Sequence, residues 1–127
     1  MNIQIPTGIK HMMETEVSEK QSAISIGSGS LAVFATPVMI ALLETTAHES
    51  IQALLPEGFT SVGSEVNIKH LKATAIGMKV KSESYLKSVN GPRLYFELHA
   101  WDEKGLIGIG THTRVIVEEK IFMDKLK

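Results

Sequence analysis

The sequence predicts an α+β fold in which one long, largely buried helix is wrapped by an antiparallel sheet. Three observations predict it. An apolar run from Leu31 to Leu43 leads into a segment bounded by Thr36-Pro37 at its start and Pro56-Glu57-Gly58 at its end. Period-two alternation then takes over and continues nearly to the C-terminus, broken only by short turns. Gly108 and Gly110 stand two apart on one strand, where missing side chains admit a helix or another backbone.

The helix comes first. Thr36 supplies an N-cap hydroxyl and Pro37 an N1 proline, so the expected helix spans 37–55, roughly 28 Å at about 1.5 Å per residue. Val38 to Leu43 are apolar all round, the mark of burial on most sides, and the second half turns amphipathic. Strands follow at Val62 to His70, around Met78 to Lys81, at Arg93 to Ala100 after the turn Asn90-Gly91-Pro92, and at Ile107 to Val117 after Asp102-Glu103-Lys104-Gly105. His11 to Ser18 adds another strand. Together these read as an antiparallel meander with one buried face. Gly27-Ser28-Gly29-Ser30 lacks Walker spacing and reads as a mobile connection or lid.

Composition sets the limits on function. A chain of 127 residues fits a single domain, 1–127. With 43% hydrophobic and 21% charged residues it has enough apolar surface for a core, which excludes a disordered chain. A formal charge of -1 gives no electrostatic basis for binding nucleic acid or an anionic membrane. Without cysteine there is no disulfide scaffold, no thiolate nucleophile and no Cys-based zinc site. The five histidines lack zinc-ligand spacing, so no metal is expected. No signal architecture or spanning run is present, and a cytoplasmic location is expected. A sheet edge and a helix incompletely covered by one chain call for a homodimer, or two dimers paired into a tetramer.

Three polar residues break the local pattern. Glu44 falls on the stripe Ile40, Glu44, Ala47, Ile51, where a carboxylate is uncommon unless the helix is rotated enough to place it at a groove. His70 continues the apolar face of Val66 and Ile68, and Thr36 on its own is simply a cap. As a set they are the ingredients of nucleophilic or general-base hydrolysis. Thr36 to Glu44 spans about 12 Å of helix axis, which the N-terminal lean of a helical side chain shortens. If Glu44 points elsewhere, the site is composed across a dimer interface. Free N–H groups of Val38 and Met39 would favour a developing oxyanion.

Gly27-Ser28-Gly29, Val33-Phe34-Ala35-Thr36-Pro37, Ala41-Leu42-Leu43-Glu44, Gly63 and Gly108-Ile109-Gly110-Thr111-His112-Thr113-Arg114 are similar to the fluoroacetyl-CoA-thioesterase-like family. The resemblance implies a dimeric hot-dog fold and hydrolysis of an acyl-CoA thioester, with coenzyme A entering as part of the substrate and no separate cofactor. It also implies a catalytic group of Thr36, Glu44 and His70, a coenzyme- and thioester-contacting glycine at Gly63, and a substrate-side arginine at Arg114. The fluoroacetyl-specific type closes its pocket with bulky residues. Ser22 to Val33 here is mostly small, so the expected substrate is a small or medium acyl-CoA of open identity. A non-catalytic acyl-CoA-binding dimer is the alternative. Hydration of an enoyl thioester lacks its paired Asp/His motif. Lys69, Lys72, Lys79 and Lys81 are either phosphate contacts for coenzyme A or a solvated sheet face.

Overall fold

Helix α2 (Thr36–Gln52) is the axis around which the other elements are arranged, in a computed structural model that describes residues 3–127. Its fully buried row is Met39, Leu43, Ala47 and Ile51, spaced four apart. Ile40 and Glu44 are only half-buried. The helix is therefore turned by one position from the expected stripe, which brings Glu44 to a groove. It also begins differently. Ala35 is the N-cap, Thr36 is the first helical residue, and no side chain among the described residues caps the start. The carbonyl of Ala35 accepts from Val38 N (3.1 Å) and Met39 N (3.0 Å), so neither amide is free for an oxyanion. The helix ends three residues early, at Gln52. That side chain instead serves the next strand, donating Nε2–H to the carbonyl of Phe59 and accepting from the Thr60 hydroxyl.

Five antiparallel strands pack against α2: β1 (Lys10–Glu16), β2 (Phe59–His70), β3 (Lys79–Asn90), β4 (Arg93–Asp102) and β5 (Gly105–Glu118). Their order in the sheet is β1-β3-β4-β5-β2. Only β3 to β5 form the expected meander; β1 pairs with β3, and β2 lies beyond β5. The β2–β3 connection is held at the end of the sheet, where Phe34 N donates to the carbonyl of Thr74 and Val33 bridges Ala75.

On β4 the expected inward set, Leu94, Phe96, Leu98 and Ala100, is buried against the helix. On β5 the apolar alternation misleads. Ile109, Val115 and Val117 lie on the outer face, while Gly108, His112, Arg114 and Ile116 are buried on the helix side. The reason is space. A Cβ on Gly108 would sit 2.8 Å from Met39 Sδ, so the helix crosses there. A Cβ on Gly110 would meet the backbone of Asn67 and Ile68, where β2 runs close. Ser64 is an extra residue in β2: Gly63 pairs with Arg114 and Glu65 with Thr113, the signature of a β-bulge. Past the bulge β2 is a sheet edge, and Val66, expected in the core, is 37% exposed.

The segment before α2 is more ordered than its glycines suggest. A 3₁₀ turn (Glu19–Gln21) and a short helix α1 (Ala23–Ile26) are closed locally by the Ser22 hydroxyl, which accepts from Ser25 N. Gly27 ends α1 at φ 80°, a left-handed conformation that glycine adopts without strain. A terminal helix α3 (Glu119–Asp124) is capped by the Glu118 carboxylate. One polar seam crosses the core: Thr46 Oγ1 of α2 lies 2.6 Å from Ser82 Oγ of β3, and Ser84 Oγ donates to the Thr46 carbonyl. All three residues are fully buried. No helix among the described residues is long and apolar enough to cross a membrane.

Candidate active site

The two ends of a long connection meet at the start of α2. Thr36 is the first residue of that helix, His70 is the last of β2, and Oγ1 and Nδ1 share a hydrogen bond of 2.7 Å. Since the hydroxyl does no capping, it is available to the imidazole. Burial holds the His70 pKa below the ordinary histidine value, so the ring is neutral near pH 7. Its other nitrogen, Nε2, is buried and has no hydrogen-bond partner among the described residues. The pair opens into a cleft of about 500 Å³ whose walls are chiefly Ala23, Val33, Phe34 and Pro37. Lys72 lines the same cleft. Lys79 and Lys81 instead flank Trp101 on the outer face, and Lys69 lies beside Ile109.

Glu44 is elsewhere. Its Oε2 lies 3.9 Å from both His112 Nε2 and Arg114 Nη1. Gly63 belongs with it, because a Cβ on that residue would come within 2.8 Å of the same carboxylate oxygen. Arg114 is 7% exposed and its guanidinium is anchored to Ser61, donating from Nε to the hydroxyl (2.7 Å) and from Nη2 to the carbonyl (2.8 Å). Burial lowers its pKa and the Glu44 charge opposes that shift. Glu44, Ser61 and Arg114 line a second cleft of about 390 Å³ with Ala41, Thr45 and His48.

The structure thus brings the predicted residues together as two groups. Thr36 and His70 form one; Glu44, Gly63 and Arg114 form the other. Within one chain Glu44 does not lean far enough along the helix to join Thr36. Sequence reasoning also passed over Ser61 and His112. The available signal was the Gly-Gly spacing of β5, which fixes the even-numbered face toward the helix and carries His112 inward with it.

Comparison with known proteins completes the picture. The sequence profile described as fluoroacetyl-CoA-specific thioesterase matches residues 17–120. The chain belongs to the fluoroacetyl-CoA-specific thioesterase family. Among this family's characterised proteins, the fluoroacetyl-CoA thioesterase of Streptantibioticus cattleyicolor is 34% identical over 95 residues, which is 75% of this chain and 68% of that protein. A crystal structure of a mutant fluoroacetyl-CoA-specific thioesterase with fluoroacetate and CoA superposes with a TM-score of 0.88 at 27% identity, covering 93% of this chain and 99% of that one. A hot-dog-like protein from Thermanaerovibrio acidaminovorans gives 0.88 at 25% identity, over 95% and 90% of the two chains. The fold of this thioesterase-family chain is accordingly the expected hot-dog, an antiparallel sheet around a central helix.

Proposed function

We propose that the chain hydrolyses a small or medium acyl-CoA thioester to the free acid and coenzyme A, with Thr36, His70 and Glu44 as its catalytic residues. The observation that carries this reading is the 2.7 Å contact between Thr36 Oγ1 and His70 Nδ1 inside a cleft. Neutral His70 accepts the hydroxyl proton at Nδ1 as Oγ1 attacks the thioester carbonyl. Collapse of the tetrahedral intermediate breaks the C–S bond, and the imidazolium returns its proton to the departing sulfur. Water then attacks the acyl-threonine carbonyl while the acceptor-only Glu44 carboxylate takes its proton; the acyl C–O bond breaks, the free acid leaves, and the proton returns from Glu44 to Thr36 Oγ1.

That last step needs Glu44 beside Thr36, so the reading places Glu44, Gly63 and Arg114 of a second copy against Thr36 and His70 of the first. Two features favour such a dimer. Strand β2 leaves one edge of the sheet open. The outer row of α2, Pro37, Ala41 and Thr45, is exposed and small enough for a second helix to approach. The reading assigns no fluoroacetyl preference, because Ala23 and Ser28 face the cleft while Ile24, Ile26 and Leu31 are solvent-exposed.

A panel of acyl-CoA thioesters assayed for free thiol tests the proposal. Release should be fastest for one class of short or medium chains. Tight binding of coenzyme A with no release across the panel would overturn hydrolysis in favour of an acyl-CoA-binding dimer.

A further inference from the structure

His112 is the least exposed titratable residue of the chain, at 1%, and the hydrolytic reading above gives it no role. Its two nitrogens have partners of opposite kind. Nδ1 lies 2.7 Å from the carbonyl oxygen of Glu65, which only accepts, so Nδ1 carries the proton. Nε2 lies 3.2 Å from Arg114 Nη1, which only donates, so Nε2 is bare. The surroundings therefore fix a single neutral tautomer, and burial together with the nearby Arg114 charge disfavours a second proton.

Both partners belong to the substrate-side group. The Glu65 carbonyl follows directly on the β2 bulge at Ser64, which resets the register next to Gly63. Arg114 has five N–H bonds, of which three go to Ser61 Oγ, Ser61 O and His112 Nε2. Two remain for the cleft that Arg114 lines. Glu44, at 3.9 Å, is too far to fix the guanidinium by a hydrogen bond. Without His112, the Nη1 end of the fork would lose its hydrogen bond and the bulge carbonyl would lose the imidazole N–H.

We propose that His112 is a positioning residue: it ties the β2 bulge to Arg114 and so sets the guanidinium edge presented to the acyl part of the substrate. This rests on the reading that Arg114 faces substrate. A misplacement of about 1 Å in such a group costs on the order of 10²-fold in rate.

The two amide replacements separate the two bonds. Asn places its amide near the Nδ1 position and keeps a donor for Glu65 while losing the acceptor for Arg114. Gln places its carbonyl oxygen near Nε2 and keeps the acceptor. His112→Asn should therefore lower kcat/KM by about 10²-fold, His112→Gln should recover most of it, and His112→Asn should have no further effect in an Arg114→Met background. Nitrogen-detected NMR of the wild-type protein should show a protonated Nδ1 and a bare Nε2 at pH 7, and an Arg114 guanidinium signal that stays sharp in the Gln variant and broadens in the Asn variant. These signals are read without substrate, so they test the tether even if the chain hydrolyses no thioester. A proton on Nε2, equal activity of Asn and wild type, equal losses in Asn and Gln, or a full Asn effect in the Arg114→Met background would each overturn the proposal.

Discussion

Replacing Thr36 by valine removes one oxygen and almost nothing else. The side chain keeps its shape, and the helix loses no cap, because no side chain among the described residues caps α2. What disappears is the 2.7 Å hydrogen bond to His70 Nδ1. Its net contribution to folding is about 0.5–1.5 kcal/mol, a melting shift of roughly 2–6 °C for a chain of this size. If Oγ1 is the nucleophile, the rate falls by at least 10²–10⁴-fold, the range for proton transfer alone, or about 3–5 kcal/mol of barrier. The catalytic effect therefore exceeds the structural one severalfold, and the two are separable. Thr36→Ser keeps the hydroxyl and should stay far closer to wild type than Thr36→Val. Thiol release from the best acyl-CoA of the panel, measured beside a melting curve, gives both numbers. A valine variant with the wild-type rate would refute the nucleophile assignment and leave Glu44 and His70 activating a water.

Glu44→Gln should fold within about 1 kcal/mol of the parent, since its carboxylate is 38% exposed and its nearest cation is 3.9 Å away; hydrolysis should drop about 10²–10⁴-fold, and an unchanged rate would return Glu44 to a groove-facing charge. Activity should hold as pH falls through 6.5 and decline only below it, at the lowered His70 pKa, because a protonated Nδ1 no longer accepts from Thr36. Stability moves the same way. Both His70 and His112 bind a proton less readily folded than unfolded, so unfolding free energy is full above about pH 6.5 and shrinks as pH falls toward their lowered values, which urea melts at stepped pH would show. Gly110→Ala should cost more than about 3 kcal/mol by forcing β2 from β5, whereas Gly108→Ala, which displaces only the mobile end of Met39, should cost about 1–3; equal urea midpoints would contradict the packing described for β5.

The sequence carried the helix and the strand count because each rests on a local rule. Pro37 and the Pro56-Glu57-Gly58 stop bound the helix to within three residues. Period two marks β2, β4, β5 and the start of β3. Face assignment was another matter, since alternation shows two faces and not which one is buried. On β5 Ile109, Val115 and Val117 point outward, because the helix demands glycine at 108 and the polar pair His112 and Arg114 bond to Ser61, Glu65 and each other. Thr36 illustrates a different gap. A threonine before proline satisfies the capping rule, but only the approach of β2 from 34 residues away shows its hydroxyl bonded to an imidazole instead. The division of Thr36 and His70 from Glu44 is likewise a three-dimensional fact, although the 12 Å of helix between them foreshadows it.

The hydroxyl seam of Thr46, Ser82 and Ser84 works like a key in a shaft. Oily packing constrains how deep a helix lies but only loosely how it is rotated about its own axis, since neighbouring apolar side chains fill the same space in several ways. A 2.6 Å hydroxyl pair has a direction, and it indexes α2 against β3 at one angle. Thr46 and Glu44 are two residues apart, about 200° around the helix, so the seam lies almost diametrically opposite the carboxylate. A turn of a few tens of degrees that apolar contacts would tolerate would sweep Glu44 past Gly63 and Arg114. The aim of that acid is set from the far side of the helix, by residues that never meet a substrate.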